Sequence, residues 1–327
     1  MGSIRTAVVG LNLGMGHVRA YKALEQADLR WVVDLDEEKA AKAAEEYECR
    51  YTTDWTSILD DVDAVSICTP HHLHYPQTMQ AIEAGKHVLL EKPFANTEEE
   101  CLKLIEAADA NNVKLMLAYV VRYMPHMRRL KQAIDSGEYG VPFNAECWVE
   151  AYLQPRPGSW LAQKDKLGGG VLFSHGCHYV DALMWLLGTP TRMTAMGTRA
   201  GTEWLESEGT SHALMQFESG ALAHLVTSWG MKYRETPAKY HIHTPKAAFI
   251  VKGEQVDVIT EEGRKTLYDP AETKQPNIFL PEIEHFLDCI ATGRSPETDG
   301  RDSLKSLRAI WRMYEEQDRF GLGEARL

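Results

Sequence analysis

One order repeats through the first 120 residues and constrains the chain more than any other feature: a short apolar run, then a helix-like stretch, then another run. The runs are residues 4–10 (IRTAVVG), 29–34 (LRWVVD), 62–69 (VDAVSICT), 86–91 (KHVLLE) and 113–119 (VKLMLAY). Strands joined through helices pair in parallel, and a parallel sheet must be covered on both faces. The expectation is a doubly wound sheet with helices at about 14–26, at 37–47 (EEKAAKAAEEY), and ending near Ala84-Gly85-Lys86 and Asn111-Asn112.

After about residue 122 the rhythm changes. Strand-like runs follow closely: 143–153, 190–200, 211–219, 220–230, 239–244 and 246–253, with Ser219-Gly220 as a hairpin turn. Helix patterns fall at about 177–187, 278–291 and 303–317. This predicts an α+β domain on a mostly antiparallel sheet, and a division into domains 1–122 and 123–327. With 44% hydrophobic and 25% charged residues, 327 residues bury two cores. A net charge of −12 offers no basic face for nucleic acid, and no apolar run spans a bilayer. Residues 4–10 already read as strand, so no signal peptide is expected; the M-G-x-x-x-T pattern at 1–6 is better explained by cloning. Six scattered cysteines without C-x-x-C suit free thiols in a reducing cytoplasm.

The first strand ends in VVGLNLGMGH. Glycines at a strand-to-helix turn let the backbone approach a pyrophosphate, whose charge the helix N-terminus meets. Gly10 takes the first position, Asn12 the second, and the third falls on Gly14 or Gly16. Asp34, 24 residues after Gly10, ends the second strand, where a carboxylate accepts from a ribose diol and repels a 2′-phosphate. Leu35-Asp36-Glu37-Glu38 follow it with no adjacent cation, which favours NAD over NADP. Thr69-Pro70 ends another strand at the same edge, ahead of His71, His72 and His74. These histidines lack a carboxylate or thiolate at ligand spacing, so no metal is expected, and His74 is the one read as cofactor-proximal. Glu91 and Lys92 emerge at that edge too, and Pro93 holds Lys92 extended. An ammonium so presented can hydrogen-bond a substrate hydroxyl and stabilise alkoxide charge.

The string TPHHLHYPQTMQAIEAGKHVLLEKPFA (69–95) resembles the Gfo/Idh/MocA oxidoreductases, whose pattern runs T-P, a histidine, A-G-K-H-V, E-K-P. GGGVLFSHGCHYVDALMWLLG (168–188) is similar to that family's G-G-G, D-x-G-x-H-x-x-D, L-L-G segment. Arg122-Tyr123 with Pro125, Asp135-Ser136-Gly137 to Gly140, Trp160 and the last two helices extend the likeness over nearly the whole chain. The resemblance implies a Rossmann domain followed by an open-faced sheet domain that mediates homodimers or homotetramers. It implies hydride transfer between NAD and a carbinol carbon of a sugar, cyclitol or sugar derivative. Lys92, His178 and Asp181 match its catalytic positions. The nucleotide is expected on Gly10, Asn12, Leu13, Gly14, Gly16, Asp34, Thr69, Pro70, His71, His74, Glu91, Lys92, Arg122 and Trp160. The carbohydrate is expected on Lys92, Tyr119, Arg122, Lys164, Ser174, His175 and His178.

The residues themselves agree with that chemistry. Alcohol oxidation needs a base for the hydroxyl proton, and histidine titrates near working pH. Asp181 stands three residues after His178, on the same helix face. One departure stands out: Ser174 occupies the place where the family carries an aspartate, so the carboxylate partner of the histidine is absent or is Asp181. Trp160-Leu161 replaces Trp-Arg, and Gln163, Lys164 and Asp165 lie in the same loop. Two other readings share these residues: NAD-dependent glycoside cleavage through transient oxidation and elimination, and a nucleotide-binding sensor without chemistry. The stretch MKYRETPAKYHIH (231–243) reads as an exposed basic edge in preference to a site for an acidic sugar.

Overall fold

A computed structural model describes residues 2–235, 238–271 and 277–320. The chain divides into two units, Met1–Tyr123 with Gln275–Lys305, and Met124–Lys274 with Ser306–Leu327. The return of 275–305 to the first unit is a feature that the division at residue 122 does not contain.

The first unit begins β1 (Ile4–Val9), α1 (Met15–Ala23), β2 (Ala27–Val33), α2 (Glu37–Tyr47) and β3 (Arg50–Thr52). It continues β4 (Ala64–Ile67), α3 (His74–Glu83), β5 (His87–Leu90), α4 (Glu98–Ala110) and β6 (Leu115–Leu117). All pairings are parallel, in the order β3-β2-β1-β4-β5-β6. β4 has all four residues buried, as a strand covered on both faces must be. The order reverses between β1 and β4, so crossovers of one hand place successive helices on opposite faces. β1, β2, β4 and β5 all end at one edge of the sheet.

Helix boundaries follow local chemistry. α2 starts behind Asp36, whose carboxylate accepts from the Lys39 amide. α4 carries a capping box: the Glu100 amide donates to Thr97 Oγ1 at 3.2 Å, and Glu100 Oε2 accepts from the Thr97 amide at 3.2 Å.

The second unit contains α5 (Pro125–Asp135), β7 (Asn144–Glu150), α6 (Lys164–Leu167), α7 (Val171–Ser174) and α8 (Cys177–Leu187). Seven strands follow: β8 (Pro190–Thr198), β9 (Thr210–Phe217), β10 (Leu222–Ser228), β11 (Tyr240–His243), β12 (Ala248–Lys252), β13 (Gln255–Thr260) and β14 (Gly263–Tyr268). With β7 they form one eight-stranded sheet, β14-β13-β12-β11-β7-β10-β9-β8, antiparallel except for β7 beside β10. In β9, Ser211, Ala213, Met215 and Phe217 are buried while His212 and Leu214 are exposed, the alternation of a sheet covered on one face. α8 packs on β10, and α5 packs on β13 and β14. Within the basic stretch, Lys232 and Arg234 are exposed, and Thr236 and Pro237 lie outside the described residues. Two helices close the chain: α9 (Leu280–Thr292), which packs on α1 within the first unit, and α10 (Gly300–Phe320).

All six cysteines are free thiols. Among the described residues no helix is long and apolar enough to cross a membrane. Replacing Thr97 by alanine removes the hydroxyl half of the α4 capping box and should lower unfolding free energy by about 1 kcal/mol. Denaturant midpoints of the two proteins measure this, and equal midpoints would show the cap to be energetically idle.

Candidate active site

In the first unit, β1 enters its turn through Gly10, whose φ of +89° and close approach to Cys68 exclude a side chain: a Cβ there would lie 2.6 Å from the Cys68 carbonyl oxygen. Gly14 immediately precedes α1, which has no acid in its first turn and no side-chain cap. No side chain caps its leading amides, though the Gly16 amide donates to the Leu13 carbonyl at 3.0 Å, so an anion would meet the others. Gly16 lies against the Phe279 ring, and Leu13 is 47% exposed. Asp34 follows the last residue of β2 and is fixed from both sides: Oδ2 accepts from the Leu11 amide at 2.8 Å, and Oδ1 from the Asp36 amide at 3.0 Å. A glycine turn without a blocking acid, beside an anchored carboxylate, fits a dinucleotide. One cation escaped the sequence reading. Lys39, five residues beyond Asp34 in sequence, is brought back by the first turn of α2, with Nζ 2.9 Å from Asn12 Oδ1 and 3.4 Å from Asp34 Oδ2.

Around Lys92 the geometry is more enclosed. Glu91 is 4% exposed, its Oε2 accepts from the Lys92 amide at 3.2 Å, and its Oε1 lies 3.1 Å from His17 Nε2. His17 Nδ1 is 3.2 Å from Ser66 Oγ, which is 2.8 Å from the Tyr21 hydroxyl. Burial alone would push the Glu91 carboxyl up; the His17 hydrogen bond and the His17, Lys92 and His74 charges outweigh it, so it lies below the usual carboxylate range. The Lys92–Pro93 bond is cis. His74 is fully buried, its ring nitrogens 2.7 Å from the Pro93 oxygen and 2.9 Å from the Thr69 oxygen. It thereby ties the loop after β4 to the segment after β5, and burial lowers its pKa against the pull of both carbonyls. The Thr69 hydroxyl is 2.6 Å from Gln77 Oε1. Pro70 leads into a 3-10 turn that holds the buried His71, whose ring is 5.5 Å from that of His74. Tyr119 is fully buried, and the buried Arg122 pairs with Asp302 at 2.7 Å. Glu282 on α9 is also fully buried; burial first, then the Glu91 charge, push its carboxyl well above the usual range.

In the second unit, Ser174 ends α7, His175 follows, and His178 and Asp181 stand on α8. Ser174 is 4% and Asp181 1% exposed; the rings of His175 and His178 lie 5.7 and 6.3 Å from that of Tyr179. Trp160 packs on a cluster of Leu167, Val171, Leu205 and Trp229, and the Lys164 amide donates to Glu206 at 2.8 Å. The start of α7 is built by two residues that sequence spacing does not disclose. The Tyr314 hydroxyl accepts from the Gly170 and Phe173 amides at 3.0 and 3.1 Å and donates to Glu208 Oε1 at 2.7 Å. Glu208 also accepts from the Leu172 amide at 3.2 Å. These remote groups satisfy the orphan donors of a helix N-terminus. Gly170 is required here because a Cβ would run into Glu208. Burial pushes the Glu208 carboxyl up to about 7, with Tyr314, the amides and Lys164 pulling the other way.

Among the described residues, no group of three or more His, Cys, Asp and Glu is placed to hold a metal ion. Of the residues missed in sequence, His17 and Tyr21 carried a readable signal, their i,i+4 spacing on the helix after the glycine turn. Glu208, Tyr314 and Lys39 carried none.

Comparison with known proteins follows the same division. Residues 4–119 match the model described as an oxidoreductase family with an NAD-binding Rossmann fold, and residues 127–254 match the GFO/IDH/MocA C-terminal domain. The chain is 32% identical over 329 aligned positions to UDP-N-acetylglucosamine 3-dehydrogenase of Acidithiobacillus ferrooxidans, covering 94% of this chain and 95% of that one. It is 31% identical to 1,5-anhydro-D-fructose reductase of Ensifer adhaerens, over 76% and 75% of the two chains. Among solved structures, aldose-aldose oxidoreductase of Caulobacter crescentus, complexed with glycerol, superposes with a TM-score of 0.88 at 26% identity, over 98% of both chains.

Glu208 provides a stability test. Folded, it keeps its proton to about pH 7; an ordinary glutamate loses it near 4.5. The folded state therefore holds the extra proton between those values, and the stabilisation is whole below the lower one and lost as pH rises through the upper. Unfolding free energy should fall by up to ~3 kcal/mol more in the wild type than in Glu208→Gln between about pH 4.5 and 8. Denaturant titrations across that range measure the difference, and parallel profiles would refute the assignment.

Proposed function

We propose a reaction from one premise: this chain belongs to the Gfo/Idh/MocA family of oxidoreductases. It is an NAD-dependent oxidoreductase acting on a CH–OH group of a carbohydrate, a sugar or cyclitol or a derivative of one. One observation carries the assignment of its working residues. Gly10, Asp34, Thr69 and Lys92 each stand just past the ends of four adjacent parallel strands, β1, β2, β4 and β5. That edge, at the reversal of strand order, is where open α/β sheets bind ligands.

The turn from Gly10 to Gly16 and the N-terminus of α1 would hold the pyrophosphate, and Asp34 would hold the adenosine ribose. NAD supplies the hydride acceptor. The Lys92 ammonium donates a hydrogen bond to the substrate oxygen and stabilises the charge that grows on it as the hydride leaves carbon. His178 takes the hydroxyl proton, and Asp181 orients or balances the imidazole. Arg122, Ser174, His175 and Lys164 are assigned to substrate recognition; Tyr119, expected there from the sequence, is fully buried and offers the substrate no surface, and His74 and Glu91 act by holding the Lys92 corner in place. The substrate is sought by following NADH absorbance over hexoses, pentoses, uronates, inositols and aryl glycosides, with aglycone release read in parallel. Lys92→Ala should reduce turnover of the substrate so found by roughly 10³-fold. That variant should still bind NADH in a fluorescence titration. Near-normal turnover in Lys92→Ala would remove this lysine from the chemistry.

The assembly belongs to the same reading. Met196, Leu214 and Leu222 are 70%, 56% and 53% exposed on neighbouring strands at one end of the second unit's sheet. Apolar exposure of this kind supports a homodimer or homotetramer through that face. Leu214→Glu should reduce the mass measured by light scattering to that of one chain; an unchanged mass would exclude the face. The six free thiols support a reducing cytoplasm as its compartment.

A further inference from the structure

We propose that Lys39 sets the coenzyme discrimination of this protein, weakening the rejection of a 2′-phosphate by Asp34 so that NADP binds as a second coenzyme beside the preferred NAD. The inference deepens the reading that the first unit binds NAD, and it rests on that reading.

Three side chains carry it. Asp34 is anchored by the Leu11 and Asp36 amides, so its carboxylate is a fixed charge that cannot swing away from a repelled group. Lys39 lies against that charge with Nζ 3.4 Å from Asp34 Oδ2, the two side chains 35% and 14% exposed. The same ammonium is 2.9 Å from Oδ1 of Asn12, which stands in the glycine turn where a second glycine is usual. Its position is not accidental to a loose chain: the Lys39 amide donates to the N-cap carboxylate of Asp36 at 3.1 Å, which seats the residue in the first turn of α2.

The physical consequence follows from charge. A lone carboxylate accepts from a ribose diol and repels a phosphate esterified to it. With an ammonium in ion-pair contact, the carboxylate still accepts hydrogen bonds, but the field it projects is that of a nearly neutral pair. Because Nζ already lies against Oδ2, a group that hydrogen-bonds this carboxylate is brought close to the ammonium. A diol gains little from it, whereas a dianionic phosphate gains directly. Asp36, Glu37 and Glu38 are exposed to water and screened, so they oppose Lys39 less than their number suggests.

Fluorescence titration with NADH and NADPH tests this on the full chain without a known substrate. The wild type should bind both, NADPH within about tenfold to thirtyfold of NADH. In Lys39→Gln the NADPH dissociation constant should rise roughly tenfold while that of NADH moves less than about threefold. Asp34→Ala should shift the ratio the other way. NADPH binding by the wild type should fall more steeply than NADH binding between about 0.01 and 1 M salt, where the Debye length shrinks from about 30 to 3 Å, and Lys39→Gln should lose that difference. The persistence of NADH binding shows that the variant is folded. A ratio unchanged in Lys39→Gln, or wild-type binding of NADH with none of NADPH, overturns the role of Lys39 and leaves the NAD reading standing. Binding of neither nucleotide overturns both.

Discussion

The ionised carboxylate of Glu91, buried at the end of β5, is the interaction on which the first unit turns. A charge out of water costs several kcal/mol unless donors surround it. Glu91 finds them in the Lys92 amide and in His17, and His17 leads on through Ser66 to Tyr21. His17 and Tyr21 lie on one face of α1, Ser66 on β4 and Glu91 past the end of β5. One chain of hydrogen bonds therefore crosses from the helix of the glycine turn, over the point where strand order reverses, to the Lys92 corner. The position of the lysine and that of the glycine turn are not independent, because a shift of α1 withdraws the partner that holds Glu91.

Three buried carboxyls show how partners decide charge. Glu91 is surrounded by His17, Lys92 and His74 and is held ionised. Glu208 meets neutral donors, a phenol and an amide, and burial carries it up to about 7. Glu282 has no hydrogen-bond partner among the described residues, lies near the charge of Glu91, and is driven well above the usual range. Burial is common to all three, so the difference lies in what each carboxyl touches. Glu91 and Glu208 share a structural task as well: each receives backbone amides next to a proposed site segment, one at Lys92 and the other at the head of α7.

What the sequence disclosed and what it hid divide along the range of the interactions. The pattern at 37–47 and that at 177–187 coincide with α2 and α8, because apolar periodicity is written in neighbours. The edge holding Gly10, Asp34, Thr69 and Lys92 was legible for the same reason: each residue ends a recognisable run. β3 has three residues and β14 is largely exposed and polar, so neither presents an apolar signal of adequate length; α5, by contrast, buries Met127, Leu130, Ala133 and Ile134 at helical spacing, a signal that the sequence does carry. The return of 275–305 to the first unit has no local signature at all. Tyr314 is 144 residues from Gly170, whose amide it receives, and no spacing rule reaches that far. Lys39 is the instructive miss. Counting along the chain leaves it beyond four residues that contain no cation, and one helical turn brings it back to Asp34.

Ser174 bears on the proposed chemistry in a way that the fold sharpens. Residues 171–187, the span of α7 and α8, contain a single acid, Asp181. Ser174 is buried, so its hydroxyl occupies a place where the family resemblance puts a carboxylate, and a hydroxyl exchanges hydrogen bonds without supplying charge. When His178 takes a proton in the proposed reaction, the negative charge on its own helix comes from Asp181, one turn further on and itself 1% exposed. A buried partner at i+3 acts through less water than an exposed one and is the stronger for it. With serine at 174, Asp181 is the acid left on these two helices to balance a protonated imidazole in the proposed reaction.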